Sequence, residues 1–175
     1  RATGPAVWTA HLNHAVTTLA NRARNALTAV HPHKPHVSTP TDLGLTSSGE
    51  LAHVHWRGSD IIPILALIAA KGWNIVTARI VAERTMVRAE FDVRAMHVGG
   101  FNQEEFIQGY KSGVFSALPA LEPAATATHW FGSVLEVRTV DRRGALGALL
   151  NVIPDYTWCT VELPGSTMIA RFDLC

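Results

Sequence analysis

The chain has 175 residues, of which 47% are hydrophobic and 17% are charged, and these proportions are typical of a globular protein. Its net charge of +1, with neutral histidines, gives no overall field that would draw the chain onto nucleic acid. The longest apolar run, Ile61 to Ala70, is too short to span a membrane, and the chain does not open with a signal peptide.

The first predicted element is a helix over residues 4–28. Thr3 is a suitable N-cap, and Pro5 falls in the first turn, where its missing N–H costs nothing. Apolar residues at helical spacing follow: Trp8, Leu12, Ala15, Val16, Leu19, Ala23 and Leu27. Because nothing in the chain is an obvious packing partner, and because the chain starts at Arg1 without Met, we assign residues 1–28 to the end of a preceding domain and expect a segment of a longer protein.

Residues 29–50 are predicted to be a linker, because prolines, glycines and serines recur in them. His31, His33 and His36 invite a metal hypothesis, as do His11 and His14 on the first helix. No cysteine or carboxylate completes the spacing of a structural metal site, so we predict no metal in this chain. A metal-dependent enzyme would instead bind zinc or manganese stoichiometrically through these histidines.

A β-α-β-β unit is predicted after the linker. Alternation indicates a strand from Leu51 to Trp56, followed by the turn Arg57-Gly58-Ser59. Asp60 is the predicted N-cap of a helix in which Pro63 takes the third position and which Gly72 ends. A hairpin of residues 75–82 and 85–93 comes next.

A second helix and a short strand are predicted to complete this unit. Asn102 and Glu105 form a capping-box pattern at the start of the helix. Residues 126–131 are the predicted fourth strand, and the unit spans residues 51–131.

The same order recurs in residues 132–175, which stop after the hairpin. A strand over residues 134–140 leads through Asp141, Arg142, Arg143 and Gly144 into a helix with an apolar stripe, and two further strands span residues 156–162 and 167–174. The hairpin ends are alike, since residues 89–93 parallel residues 170–174. We therefore predict an α+β fold of two related modules, the second one truncated. Cys159 and Cys175, on the two strands of this hairpin, are expected to be reduced thiols.

The turn before the second module's helix is a candidate site for the carboxylate of a small ligand. The N–H groups around Gly144 and Ala145 suit a carboxylate, and Asp141 suits an ammonium group. Arg142 or Arg143 could assist the carboxylate. Alternatively, Asp141 is an ordinary helix N-cap and the two arginines are simply solvated.

Asp141-Arg142-Arg143-Gly144-Ala145-Leu146 resembles the D-R-x-G-x-L turn of ACT domains, the ligand-sensing modules of amino-acid metabolism. The resemblance implies two ferredoxin-like βαββαβ modules, with the ligand bound by Asp141, Arg142, Arg143, Gly144 and Ala145. In the first module the ligand would be bound by Arg57, Gly58, Ser59 and Asp60, but Trp56-Arg57-Gly58-Ser59 stands where the motif has an acid and a closing glycine. Exposed edge strands predict that the two modules pair sheet to sheet and bind ligands at their interface.

A tandem pair preceded by a helix resembles the C-terminal region of the enzymes that modify the PII nitrogen-signalling protein. The resemblance implies a cytoplasmic enzyme in which glutamine shifts activity from adding UMP, or AMP in some relatives, toward removing it. Its catalytic domains would use Mg²⁺ and an HD-type metal site, to which residues 1–28 would belong. This chain has no G-S-x2-D-x-D run and no His-Asp dipeptide, so we predict no catalytic residues in it. The alternative is a stand-alone regulatory protein that binds amino acids.

Overall fold

The computed structural model describes residues 17–25, 27, 42–96, 100–113, 117–153 and 155–174. The strands are β1 (Asp42–Ser48), β2 (Leu51–Gly58), β3 (Trp73–Glu83), β4 (Met86–Ala95), β5 (Thr126–Phe131), β6 (Val134–Val140), β7 (Tyr156–Glu162) and β8 (Thr167–Leu174). The helices are α1 (residues 17–25 and 27), α2 (Ile62–Ala70), α3 (Gln103–Ser112) and α4 (Ala145–Val152). The α+β fold class is confirmed.

All eight strands form one antiparallel sheet in the order β1-β2-β4-β3-β7-β8-β6-β5. The predicted β-α-β-β order occurs twice, as β2-α2-β3-β4 and as β6-α4-β7-β8. The two repeats join where β3 pairs with β7, from Thr77 opposite Glu162 to Val81 opposite Trp158. The predicted sheet-to-sheet pairing of the two copies is therefore confirmed.

One face of the sheet is covered by helices, and the sequence alternation decides which residues face them. In β2, Ala52, Val54 and Trp56 are buried, while the residues between them are not. Residues 62–69 of α2 are all buried, because this helix contacts β3, α3 and α4. The contact between α2 and α4 joins the two repeats in the helix layer, as β3 and β7 join them in the sheet.

Part of the predicted linker is a strand. Residues 42–48 form β1, whose seven residues pair with β2. The strand was missed because turn-forming residues surround Leu43 and Leu45, whose alternate spacing is the signal of a strand. Leu43 pairs with Trp56 and Leu45 with Val54, and all four side chains face the helix layer. Gly44 lies under the ring of His55, where an added Cβ would come within 2.1 Å of Cε1. Its lack of a side chain is therefore a packing requirement of the strand and not a loop signal.

The strand predicted to close the first module lies in the other half of the sheet. β5 exists as predicted, but it pairs with β6, from Thr126 opposite Thr139 to Phe131 opposite Val134. β1 occupies the matching position beside β2. Each half of the sheet therefore has four strands, and the boundary drawn after residue 131 does not follow the strand pairing.

The expectation that α1 has no packing partner in this chain is wrong. Ala23 and Leu27 are 0% exposed and belong to the same core cluster as both repeats. The side chain of Arg24 donates to Thr128 Oγ1 of β5 at 2.9 Å. This bond places α1 beside β5 in the second half of the sheet, as α3 contacts β1 in the first half. Whether α1 also ends a preceding domain stays a prediction.

The predicted helix caps have mixed outcomes. Asn102 caps α3 as predicted, and its Oδ1 accepts the Glu105 N–H at 3.0 Å. α2 begins one residue later than predicted, with Ile61 as N-cap and Pro63 in the second position. Asp60 still accepts the N–H of Ile62 at 2.9 Å, so its carboxylate supports the turn that leads into the helix.

Several sequence predictions fall outside the described residues. These are Thr3 and Pro5, the five histidines considered as metal ligands, and Cys175. Within the described part of the chain, no group of three or more metal-ligating side chains occurs, and no helix is long and apolar enough to cross a membrane. Cys159 is a buried free thiol, and its burial raises its pKa.

Candidate ligand cleft between the two repeats

A cleft lies where the two repeats meet on the helix side of the sheet. The first repeat contributes residues of α2 and β3. The second repeat contributes the turn before α4, the first turn of α4, β7 and β8, and the loop around residue 118 completes the cleft. The lining residues are Leu65, Ile68, Ala69, Trp73, Asn74, Ile75, Leu118, Asp141, Arg142, Arg143, Gly144, Leu146, Gly147, Val161 and Met168. Its free volume is about 60 Å³. One water requires roughly 10–15 Å³ on the same measure, so several water-sized groups fit.

The second repeat's turn is shaped by backbone bonds around a left-handed glycine. The Asp141 N–H donates to Ser166 O at 2.8 Å, which ties the end of β6 to the start of β8. Gly144 is the N-cap of α4 and has φ of 83°, a conformation that costs a residue with a Cβ about 1–2 kcal/mol. The sequence therefore needs glycine here to enter the helix directly after the strand.

The first turn of α4 offers backbone donors to the cleft, although not at the residue that the sequence suggested. The Ala145 N–H donates to Arg142 O at 3.1 Å and is already used. The first intrahelical bond runs from Ala148 N to Gly144 O, so the N–H groups of Gly144, Leu146 and Gly147 precede the helical ladder. All three residues line the cleft, and donors of this kind suit a carboxylate.

Asp141 is the acidic side chain of the cleft. Burial raises its pKa, while a hydrogen bond with the Asn74 side chain and the charge of Arg142 act against that rise. Asn74 belongs to β3, so this hydrogen bond crosses from one repeat to the other. Asp141 does not cap the helix, because Gly144 takes the N-cap position without a side-chain bond. The N-cap alternative is therefore wrong, and the structure leaves Asp141 as a partly desolvated carboxylate facing the cleft.

The guanidinium of Arg142 is engaged by the fold. It donates to the carbonyl oxygens of Glu122 at 2.5 Å, Val140 at 2.9 Å and Leu27 at 2.6 Å. It also donates to Thr139 Oγ1 at 2.9 Å. These bonds hold the loop before β5, the end of β6 and α1 together, so Arg142 is not arranged as a ligand-binding cation. Arg143 is exposed and lines the cleft, where its charge is available to an anion.

The corresponding turn of the first repeat has a different structure. Arg57 pairs with Glu83 at 2.9 Å, and Gly58 lies against the indole of Trp56. The N-cap Ile61 has φ of −77°, in contrast to the left-handed Gly144. Three residues before the N-cap, where the second repeat has Asp141, the first repeat has Gly58. Arg57, Gly58, Ser59 and Asp60 do not line the cleft, and this turn has no carboxylate in the place of Asp141.

Most of the residues that line the cleft were not predicted as site residues, and two of them lie directly against the turn or the first turn of α4. Asn74 comes from the strand that pairs with the other repeat, and Leu118 comes from the connector before β5. Leu118 packs so closely on Gly147 that an added Cβ would come within 2.5 Å of its Cδ1. No local pattern marks either residue, because only the joining of the two repeats brings them to the turn.

A second cavity, of about 270 Å³, lies on the uncovered face of the sheet. Three of its polar side chains bond to one another: Asp92 lies 3.0 Å from His53 Nδ1 and accepts from Thr77 Oγ1 at 2.7 Å. The hydrogen bonds from His53 and Thr77 hold the pKa of Asp92 below its usual value. This arrangement stabilises a charge on the open face and has no backbone donors of the kind found beside Gly144.

Comparison with known proteins gives one informative match. Over 171 residues, which are 98% of the chain, the sequence is 44% identical to the bifunctional uridylyltransferase/uridylyl-removing enzyme of Corynebacterium glutamicum. The chain covers 25% of that enzyme's length, so it corresponds to a segment of it. No protein-family model and no solved structure matches the chain.

Proposed function

We propose that this chain is the glutamine-sensing regulatory region of a cytoplasmic enzyme that adds a nucleotidyl group to a PII signalling protein and removes it again. The proposal is supported by the 44% identity to a bifunctional uridylyltransferase/uridylyl-removing enzyme. Addition and removal of UMP, or of AMP, would be carried out by parts of the enzyme outside this segment, with Mg²⁺ as the expected metal. This segment would bind the signal and contribute no catalytic group.

The observation on which amino-acid binding rests is that Asp141 and the first turn of α4 share one cleft. A free amino acid presents an anion and a cation a few ångströms apart. The N–H groups of Gly144, Leu146 and Gly147 would receive the carboxylate, with Arg143 adding positive charge. Asp141 would accept hydrogen bonds from the ammonium group, which compensates the cost of burying its charge. The apolar residues of α2 that line the cleft would pack on the methylene groups of the ligand side chain.

Regulation requires that the ligand bind one domain arrangement more tightly than the other. A cleft built from both repeats supports this idea, because a shift of one repeat against the other would change the width of the cleft and the distance between Asp141 and Asn74. A coupling free energy of about 1–3 kcal/mol would be sufficient to switch an enzyme between two activities.

The proposal is tested by calorimetric titration of the 175-residue chain with glutamine, glutamate, asparagine and the other amino acids. Glutamine should bind most tightly. Gly144→Ala should weaken this binding roughly 5- to 30-fold, which corresponds to a strain of about 1–2 kcal/mol in the left-handed turn. Gly132→Ala is the matched control, since Gly132 has φ of 63° with nothing near its Cβ position and lies in the β5–β6 turn.

The two variants separate a binding effect from a stability effect. Gly132→Ala should lower the stability of the chain by about 1–2 kcal/mol and leave the affinity unchanged. In Gly144→Ala the unliganded turn relaxes and the ligand forces it back to the left-handed conformation, so the strain should appear mainly as lost affinity. No heat with any amino acid would show that the cleft is a packing feature and would end the sensor proposal. Equal losses of affinity in both variants would place the ligand elsewhere.

A further inference from the structure

The side chain of Arg142 joins the proposed ligand turn to a helix that is 115 residues away in sequence. Its Nη2 donates to the carbonyl oxygen of Leu27 at 2.6 Å, and Leu27 is 0% exposed in the core. Arg142 lies between Asp141 and Gly144 in the chain. The backbone that would contact the ligand is therefore the same backbone that positions this guanidinium.

The other hydrogen bonds of Arg142 fix the position of its guanidinium group. It donates to Glu122 O, to Val140 O and to Thr139 Oγ1, and Thr139 Oγ1 in turn lies 3.1 Å from Ala125 O. The guanidinium is planar, so its donors move together. A change in the turn at Asp141 or Gly144 moves the backbone of Arg142, and the side-chain torsions of Arg142 and the bonds of its guanidinium, including the bond to Leu27 O, must take up that movement.

Leu27 O accepts this bond on the α1 side, and the Leu27 side chain belongs to the core cluster that α1 shares with both repeats. A different bond from α1 to the sheet, from Arg24 to Thr128 Oγ1, reaches β5 and does not involve the turn. The bond from Arg142 to Leu27 O therefore connects α1 to the ligand turn, and the bond from Arg24 to Thr128 does not.

We propose that Arg142 couples amino-acid binding to the docking of α1 on the second repeat. A ligand that fixes the turn in the conformation described above holds the guanidinium on Leu27 O and strengthens the docking of α1. By linkage, docked α1 raises the affinity for the ligand by the same factor. Arg142 acts as a positioning residue and makes no contact with the ligand in this scheme. The inference rests on the proposed function, since it requires an amino acid at the turn.

The test is hydrogen–deuterium exchange of the 175-residue chain, read from peptides that cover residues 17–27, with and without saturating glutamine. In the wild-type chain glutamine should slow exchange of α1 about 5-fold or more, the lower end of ordinary allosteric coupling. Arg142→Lys keeps the charge but loses the planar guanidinium, and glutamine should then change α1 exchange less than 2-fold. Saturating ligand is used so that a weaker affinity of the variant does not enter the comparison.

Thr128→Val is the matched control, because it removes the hydroxyl that accepts the Arg24 bond from α1, and this bond does not involve the ligand turn. Exchange of α1 should become faster in this variant, while the ratio of the rates with and without glutamine stays at the wild-type value. Arg142→Gln, which keeps a hydrogen-bond donor without the charge, gives a second reading if the lysine variant folds poorly.

The outcomes distinguish this inference from the proposed function. If glutamine binds the wild-type chain but leaves α1 exchange unchanged or faster, the coupling is wrong and the sensor proposal survives. A 5-fold response that persists in Arg142→Lys shows that the coupling runs through other contacts and overturns the role of Arg142. If glutamine fails to bind the wild-type chain, the proposed function fails and this inference fails with it.

Discussion

At the scale of single residues, Asp141 combines a cost to stability with a proposed role in binding. Burial raises the pKa of its carboxyl group, so the folded chain holds a proton there more tightly than the unfolded chain does. The resulting stabilisation is complete at pH values below the unfolded pKa and is lost as the pH rises through the folded pKa. At neutral pH the ionised Asp141 therefore lowers the stability of the chain without ligand.

Asp141→Asn should separate these two effects. At pH 7 we expect a melting temperature equal to or higher than that of the wild type, because the desolvated charge is gone while the amide oxygen can still accept from Asn74. Binding of glutamine should become roughly 10- to 100-fold weaker, since a hydrogen bond to a charged group contributes about 1.5–3 kcal/mol. Calorimetric titration and thermal unfolding of the same sample measure both quantities. A less stable variant with unchanged affinity would show that Asp141 has only a structural role.

At the scale of elements, Glu136 is a buried charge that joins three strands. It lies on β6 and is 3% exposed. Its two carboxylate oxygens accept from Arg138 Nε at 2.6 Å and from Arg171 Nε of β8 at 2.7 Å. Arg171 also pairs with Glu162 of β7 at 3.2 Å. Burial raises the pKa of Glu136, but the hydrogen bonds and charges of the two arginines outweigh it and leave the pKa below its ordinary value of 4.5.

Glu136→Gln should lower the free energy of unfolding by about 2 kcal/mol at pH 7, because the amide nitrogen would face one of the arginine donors. A lowered pKa means that the wild-type stabilisation exists above the unfolded pKa and is lost as the pH falls through the folded pKa. The difference between variant and wild type should therefore shrink below pH 4.5. Urea denaturation at several pH values measures it, and Glu162→Gln, at an exposed site, should cost less than about 1 kcal/mol. A pH-independent difference would argue against a stabilising charge at Glu136.

The elements also show which parts of the fold could be read from the sequence. The β7–β8 hairpin and the start of α3 were predicted to the residue, because alternation and an Asn-capped helix are local signals. β1 was missed, and the partner of β5 was not foreseen, because strand pairing depends on the opposite strand. The turn at Asp141 and Gly144 was recognised from its own residues. The bonds of Asp141 to Asn74 and of Arg142 to Leu27 could not be predicted from the sequence, because Asn74 and Leu27 reach the turn only through the tertiary fold.

At the scale of the whole molecule, the two repeats form one structural unit. They share a continuous sheet through β3 and β7, a helix layer through α2 and α4, and one cluster of buried side chains that also includes Ala23 and Leu27. Separating the repeats would expose that cluster and break the ladder between them. We therefore infer that they unfold together and that a ligand in the shared cleft stabilises both of them.

Scanning calorimetry of the 175-residue chain tests this cooperativity. Glutamine at 100 times its dissociation constant should add about 2.7 kcal/mol of stability. For a chain of this size each kcal/mol raises the melting temperature by about 2–4 °C, so the shift should be roughly 5–10 °C in a single transition. Asp141→Asn, with binding 10- to 100-fold weaker, should lose roughly half or more of this shift at the same glutamine concentration. Two transitions, of which glutamine moves only one, would show that the repeats are independent, and a change at the cleft could not then pass from one repeat to the other through the shared sheet.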